Sequence, residues 1–124
     1  MYKISTDRRF QKNKKAIRRA FIDLVVEDGY DKLTISKIAE RADINRMTFY
    51  SHYETIEDIF LEFIDDMEAE IIDDISKKDS LNIDELFESL NNLMYKEIDF
   101  FRCAAKDNKL AFFINAFKNT IFYD

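Results

Sequence analysis

The sequence predicts an all-α protein, on three observations. Among 124 residues there is one glycine and no proline. Sheets and phosphate loops take their tight turns from these two residues, so their scarcity points to a nearly all-helical chain. The same scarcity argues against a dinucleotide fold or a P-loop, both of which need several glycines. Apolar residues recur at helical spacing along most of the chain. Residues that cap helices well stand where each stretch should begin: Thr6, Thr34, Asn45, Thr55 and Asn82. A composition of 47% hydrophobic and 35% charged residues suits a folded chain rather than a disordered one.

The first helix is expected from about Asp7 to Asp28, capped by Thr6 and stopped by Gly29. Phe10, Ile17, Phe21, Leu24 and Val25 share its inner face, and Arg8, Lys12, Lys15 and Arg19 form a basic stripe outside. A short second helix follows from Ile35 to Arg41, with Ile38 and Ala39 inward. "ADI" reads as a turn, and Asn45 caps a third short helix ending near Tyr50 or Ser51. Two short helices joined by a tight turn behind a longer one form a helix-turn-helix. Such a pair needs small residues where the helices cross, supplied by Ala39 and Ala42, and an apolar plug, supplied by Ile44.

The fourth helix begins after Thr55, with Thr55 and Asp58 at capping-box spacing. Its apolar stripe runs Ile56, Ile59, Phe60, Phe63, Ile64, Met67, Ile71, Ile72 and Ile75. Asp58, Glu62, Asp66, Glu70 and Asp74 form an unbroken i,i+4 row of acids, each like-charge pair costing roughly 0.2–0.5 kcal/mol. The row reads as a solvated face, or as a surface turned to a basic partner. Asn82 and Glu85 open a fifth helix with Leu86, Phe87, Leu90, Leu93 and Met94 inward. A break near Lys96 to Ile98, a short helix from Asp99 to Ala105, a turn at "KDNK" and a last helix from Leu110 to Tyr123 complete the reading.

Several chemistries drop out. Cys103 is the sole cysteine and His52 the sole histidine, so neither an internal disulfide nor a structural zinc site is expected. No pair of carboxylates or tyrosines has a spacing that demands catalysis, so no catalytic residue, metal or cofactor is expected. No signal peptide is apparent, and "LAFFINAF" is too short to span a bilayer, so the expected location is the cytoplasm. Charge is unevenly shared. Residues 1–53 hold 12 Lys+Arg and 7 Asp+Glu, a balance of +5, and the remainder carries −11 of the total −6. That asymmetry is a cue for a polyanion-binding half.

The stretch "TISKIAERADINRMTFYSHYETIEDIF" resembles the DNA-binding signature of TetR-family transcriptional regulators. Thr34, Ile38, Ala39, Ala42, Ile44, Thr48, Phe49, Tyr50, His52 and Tyr53 carry the pattern, and the resemblance covers about residues 8 to 65. It implies a three-helix helix-turn-helix DNA-binding domain, residues 1–54, joined by a long fourth helix to a helical regulatory region, residues 55–124, expected to be incomplete. It implies a repressor controlled by a small apolar or aromatic effector, acting as a homodimer on a near-palindromic operator of double-stranded DNA. By the same resemblance, these residues are expected to stop short of the late helices through which family members usually pair.

The residue types support that reading independently. A helix in the major groove presents its N-terminal residues to base edges, here Asn45, Arg46, Met47 and Thr48. Thr34, Ser36 and Lys37 crowd the N-terminus of the second helix, where free backbone N–H groups attract phosphate. By the resemblance, Tyr50 and His52 contact the phosphate backbone, and Ser36 joins residues 45–48 as a base reader. Phe49 and Tyr53 fall on the inward side. Three positions depart from the family's pattern: Asp43 stands for a common glycine, Met47 for a small residue and Ile56 for a phosphate-binding lysine. The effector-pocket candidates are Phe60, Phe63, Met67, Phe87, Leu90, Met94, Phe101, Phe113 and Phe117, set against plain core packing. The competing function is a protein-interaction module on the same scaffold.

Overall fold

The computed structural model describes residues 2–77, 82–108 and 115. Apart from Asn115, the expected last helix, with Phe113 and Phe117, lies outside them. The described residues form helices α1 (Tyr2–Asp28), α2 (Ile35–Ala42), α3 (Arg46–His52), α4 (Ile56–Ser76), α5 (Ile83–Lys96) and α6 (Ile98–Ala105), with a 3-10 turn at Tyr30–Lys32. No strand occurs among them. The chain divides into two compact units, Met1–Ile59 and Phe60–Asp124, with the boundary inside α4.

In the first unit α1 packs on α2, and α2 on α3. Ile17, Ala20, Phe21, Leu24 and Val25 of α1 are buried together with Ile38, Ala39, Phe49 and Tyr53. α1 begins at Tyr2, so Thr6 lies inside the helix and does not cap it. Nothing between Tyr2 and Asp7 breaks a helix, and threonine costs an interior turn only a fraction of a kcal/mol, roughly 0.7 at most.

Gly29 ends α1 as expected, its N–H donating to Val25 O at 2.8 Å. Its φ of 89° and ψ of 156° lie in a region essentially reserved for glycine. A methyl group there would meet nothing within 4 Å. Gly29→Ala is therefore expected to cost about 1–3 kcal/mol through backbone conformation alone. An unchanged melting temperature would show that the chain can reroute around this turn. The 3-10 turn that follows was not legible in the sequence. It buries Tyr30 edge-on against Phe21, ring centroids 6.3 Å apart.

In the second unit Phe100 is fully buried between Phe60 and Phe63, at centroid distances of 4.8 Å to each. Met67, Ile71, Leu93 and Cys103 are buried in the same unit. α5 corrects the expected inner face. Leu93 and Ser89 turn inward, with Leu86 and Leu90 half-buried, whereas Phe87 is 58% and Met94 47% exposed. Both faces of α5 are apolar, so period alone could not choose between them. Ile72, expected on the stripe of α4, is also exposed.

The acid row on α4 is not a bare face. Glu70 accepts from Lys96 Nζ at 2.8 Å, and Asp74 accepts from the hydroxyl of Ser89. Asp58 closes the capping box with Thr55, each side chain accepting the other's backbone N–H at 3.0 and 3.2 Å. The repulsion counted along one helix is thus partly offset by partners from another.

Burial pushes the Cys103 thiol up to about 12, helped by the nearby Asp107 carboxylate. A protonated, enclosed thiol is a poor nucleophile. Folded protein at pH 8 is expected to resist a disulfide reagent such as DTNB and to react once urea unfolds it. Stoichiometric labelling without urea would contradict this burial.

Candidate nucleic-acid interface

The segment from Thr34 to Tyr53 is fixed by short-range bonds that its residue types dictate. Thr34 Oγ1 accepts from the Lys37 N–H at 3.1 Å, and Asn45 Oδ1 from the Thr48 N–H at 2.7 Å. Each cap satisfies a backbone donor that a helix start leaves open. Between them Asp43 adopts a left-handed conformation, φ 60° and ψ 46°. Its N–H donates to the carbonyls of Ala39 and Glu40, and the Ile44 N–H donates to Ala39 O at 3.0 Å. The last carbonyls of α2 are closed by this turn. Aspartate is one of the few residues besides glycine that accepts such a φ.

Two faces follow. Phe49 is completely buried and Tyr53 nearly so, their rings 6.0 Å apart, and these two side chains anchor α3. Asn45, Arg46, Met47 and Tyr50 are exposed, and Thr48 is half-buried. Met47 reaches 82% exposure, on the outer face with Arg46. Arg46 has no hydrogen bond or ion pair among the described residues. Thr34, Ser36 and Lys37 are exposed at the start of α2.

Besides Thr34, whose hydroxyl caps α2, three candidates are partly committed elsewhere. The Asn45 side-chain carbonyl serves as the cap, which leaves its amide nitrogen for outward contact. Lys37 Nζ donates to Lys32 O at 3.1 Å and keeps further protons for an anion. The His52 ring is half-buried against Phe10 of α1, centroids 4.1 Å apart, with Nδ1 closed off from solvent.

Other cations are spoken for. Arg41 makes a two-pronged bond to Glu27, at 2.7 and 3.0 Å, joining the C-terminal ends of α2 and α1. The same hydrogen bonds hold the Glu27 carboxyl below its ordinary value. Arg19 of the basic stripe pairs with Asp23 at 2.6 Å, and Lys14 lies 5.3 Å from the centroid of the Phe10 ring. Arg8, Arg9, Lys12 and Lys15 are exposed along α1.

Residues 13–63 match the profile of bacterial regulatory proteins, tetR family. Over that span the chain is similar to TetR-family proteins. Three curated proteins give significant matches. An HTH-type transcriptional regulator of Bacillus subtilis (strain 168), YxbF, is 38% identical over 77 residues, 61% of this chain and 20% of its own length. The HTH-type dhaKLM operon transcriptional activator DhaS of Lactococcus lactis subsp. lactis (strain IL1403) is 34% identical over 62 residues, half of this chain and 33% of its own length. The B. subtilis HTH-type regulator YdeS is 50% identical over 36 residues, 29% of this chain and 18% of its own. The chain thus spans a third or less of each relative. No solved structure matches it significantly.

The matched span starts inside α1 and ends inside α4, so it contains all of α2 and α3 and every candidate contact from Thr34 to His52. Of the effector-pocket candidates it includes Phe60 and Phe63, both buried. Met67 is buried, Leu90 and Phe101 are half-buried, and Phe87 and Met94 are exposed. Phe100, which the sequence reading passed over, is the aromatic residue that Phe60 and Phe63 enclose. Its signal was the i,i+3 spacing to Cys103, also fully buried.

Proposed function

We propose that this protein is a sequence-specific DNA-binding transcriptional regulator. The reading is carried by α3, whose capped N-terminus presents Arg46 and Met47 outward while Phe49 behind them is fully buried. That is the arrangement a helix needs to enter a major groove without detaching from its domain. Arg46 reads a guanine edge or a neighbouring phosphate, and Met47 and Thr48 lie against base edges and thymine methyls. Asn45 contributes its amide nitrogen and Ser36 its hydroxyl. Thr34, Lys37, Tyr50 and His52 hold the backbone, His52 through Nε2. Regulators named among its relatives support the reading.

One recognition helix covers one half-site, so two copies bind a near-palindrome. Repression is the simpler outcome, because a seated protein excludes others from the same duplex. An effector acts through the second unit.

The test is selection from a random duplex pool, followed by titration of the selected duplex at several salt concentrations. Affinity is expected to fall with salt, with a log–log slope of about −0.9 per phosphate contact. Arg46→Ala is expected to weaken the selected site by about 1–3 kcal/mol. Equal affinity for selected and random duplexes would refute sequence-specific binding, and equal binding by Arg46→Ala would remove Arg46 from the readers.

A further inference from the structure

The second unit holds a cavity of about 320 Å³ between the C-terminal half of α4 and α5. The volume is at the lower end of small-molecule sites. Its walls are not those of an apolar effector site. Ile71 and Leu93 are the apolar part, and the rest is charged or hydrogen-bonding.

The two helices run antiparallel along it, because Glu70 meets Lys96 while Asp74, further along α4, meets Ser89, earlier on α5. Seven residues separate Glu70 from Lys77, about 10 Å of helix. The polar groups therefore fall at two ends. At one end lies the Lys96–Glu70 pair. At the other lie Asp74, the buried Ser89 and Lys77, which also pairs with Asp73 at 3.0 Å. Asn92 lies between, exposed, with no hydrogen bond among the described residues.

An ammonium and a carboxylate are thus available side by side at one end, with an apolar wall leading to a polar pair at the other. We infer that this cavity binds a free α-amino acid with a polar-ended side chain. Asp74 takes the ligand's ammonium, held in place by the Ser89 hydroxyl. Lys77 takes its carboxylate, exchanging an exposed pair with Asp73 that contributes little by itself. The side-chain stem lies on Ile71 and Leu93, and its polar end meets Asn92 and the Lys96–Glu70 pair. Neither a plain amine nor a plain acid uses both charges. As the effector of a regulator the ligand rests on the function proposed above, but its binding does not.

The test is calorimetric titration of the whole chain with L-glutamine, L-arginine and L-glutamate, and with the N-acetyl and carboxamide derivatives of whichever binds. One parent amino acid is expected to bind, and both derivatives to bind at least about tenfold more weakly, each having lost one charge-assisted bond. Asp74→Asn and Lys77→Met are expected to weaken binding by a similar factor. Lys77 is largely exposed, so its variant keeps the test open if Asp74→Asn fails to fold. No heat with any of the three amino acids overturns the proposal. So does equal binding of the derivatives, or wild-type affinity in both variants. Titration of the selected duplex with the same sample separates the two readings: intact duplex binding without amino-acid binding removes this site alone, and the reverse removes the regulator alone.

Discussion

Replacing Phe49 with alanine is expected to lower the unfolding free energy by about 3–5 kcal/mol and to abolish duplex binding. Phe49 is completely enclosed, and α3 is only seven residues long. A helix of two turns does not hold itself together in water, so its stability comes from packing. Removing the ring leaves a cavity and frees the segment that carries Arg46 and Met47. Phe49→Leu keeps most of the volume and is expected to cost much less and to retain binding. Met47→Ala is the matching control. Met47 is 82% exposed, so its truncation should change stability by no more than about 0.5 kcal/mol while weakening the selected duplex. Denaturant titration and anisotropy on the three variants check this. If Phe49→Ala kept full duplex affinity, α3 would not be the reading element.

The contrast between Phe49 and Met47 shows how far the sequence could be read. Both lie in "NRMTFYSHY", and both are large and apolar. Phe49 was assigned inward and Met47 outward from their places in the motif, and their exposures, none and 82%, follow that division. Caps were legible for a related reason. Thr34, Asn45, Thr55 with Asp58, and Asn82 bond to backbone three residues away. Such bonds depend on local sequence alone.

What was lost depends on distant partners. Lys96 reaches Glu70 across 26 positions, and Ser89 reaches Asp74 across 15. Neither can be inferred from a window of one helix. The inner face of α5 failed for the same cause. Leu86, Leu90 and Leu93 compete with Phe87 and Met94, and only what packs against α5 decides between them. The polar character of the cavity follows from that choice, so an apolar pocket was the natural expectation from sequence.

The two phenylalanines of α6 give this argument a measurable form. Phe100→Ala is expected to destabilise the protein by about 3–5 kcal/mol, and Phe101→Ala by about 1–2. They are adjacent, identical in chemistry and on the same eight-residue helix. Phe100 is fully enclosed, with Phe60 and Phe63 at 4.8 Å each. Phe101 is half-buried and meets Phe100 edge-on at 5.5 Å. The sequence reading named Phe101 because two adjacent phenylalanines on a short helix both lie away from Asp99 and Arg102, and period alone does not choose between them. The structure sets the register through Cys103, three residues after Phe100 and equally enclosed. Urea unfolding of the two variants, each compared with wild type, tests that register directly. Equal losses would mean that α6 offers both rings to the core, and a larger loss for Phe101→Ala would rotate the helix by about 100° from the register described.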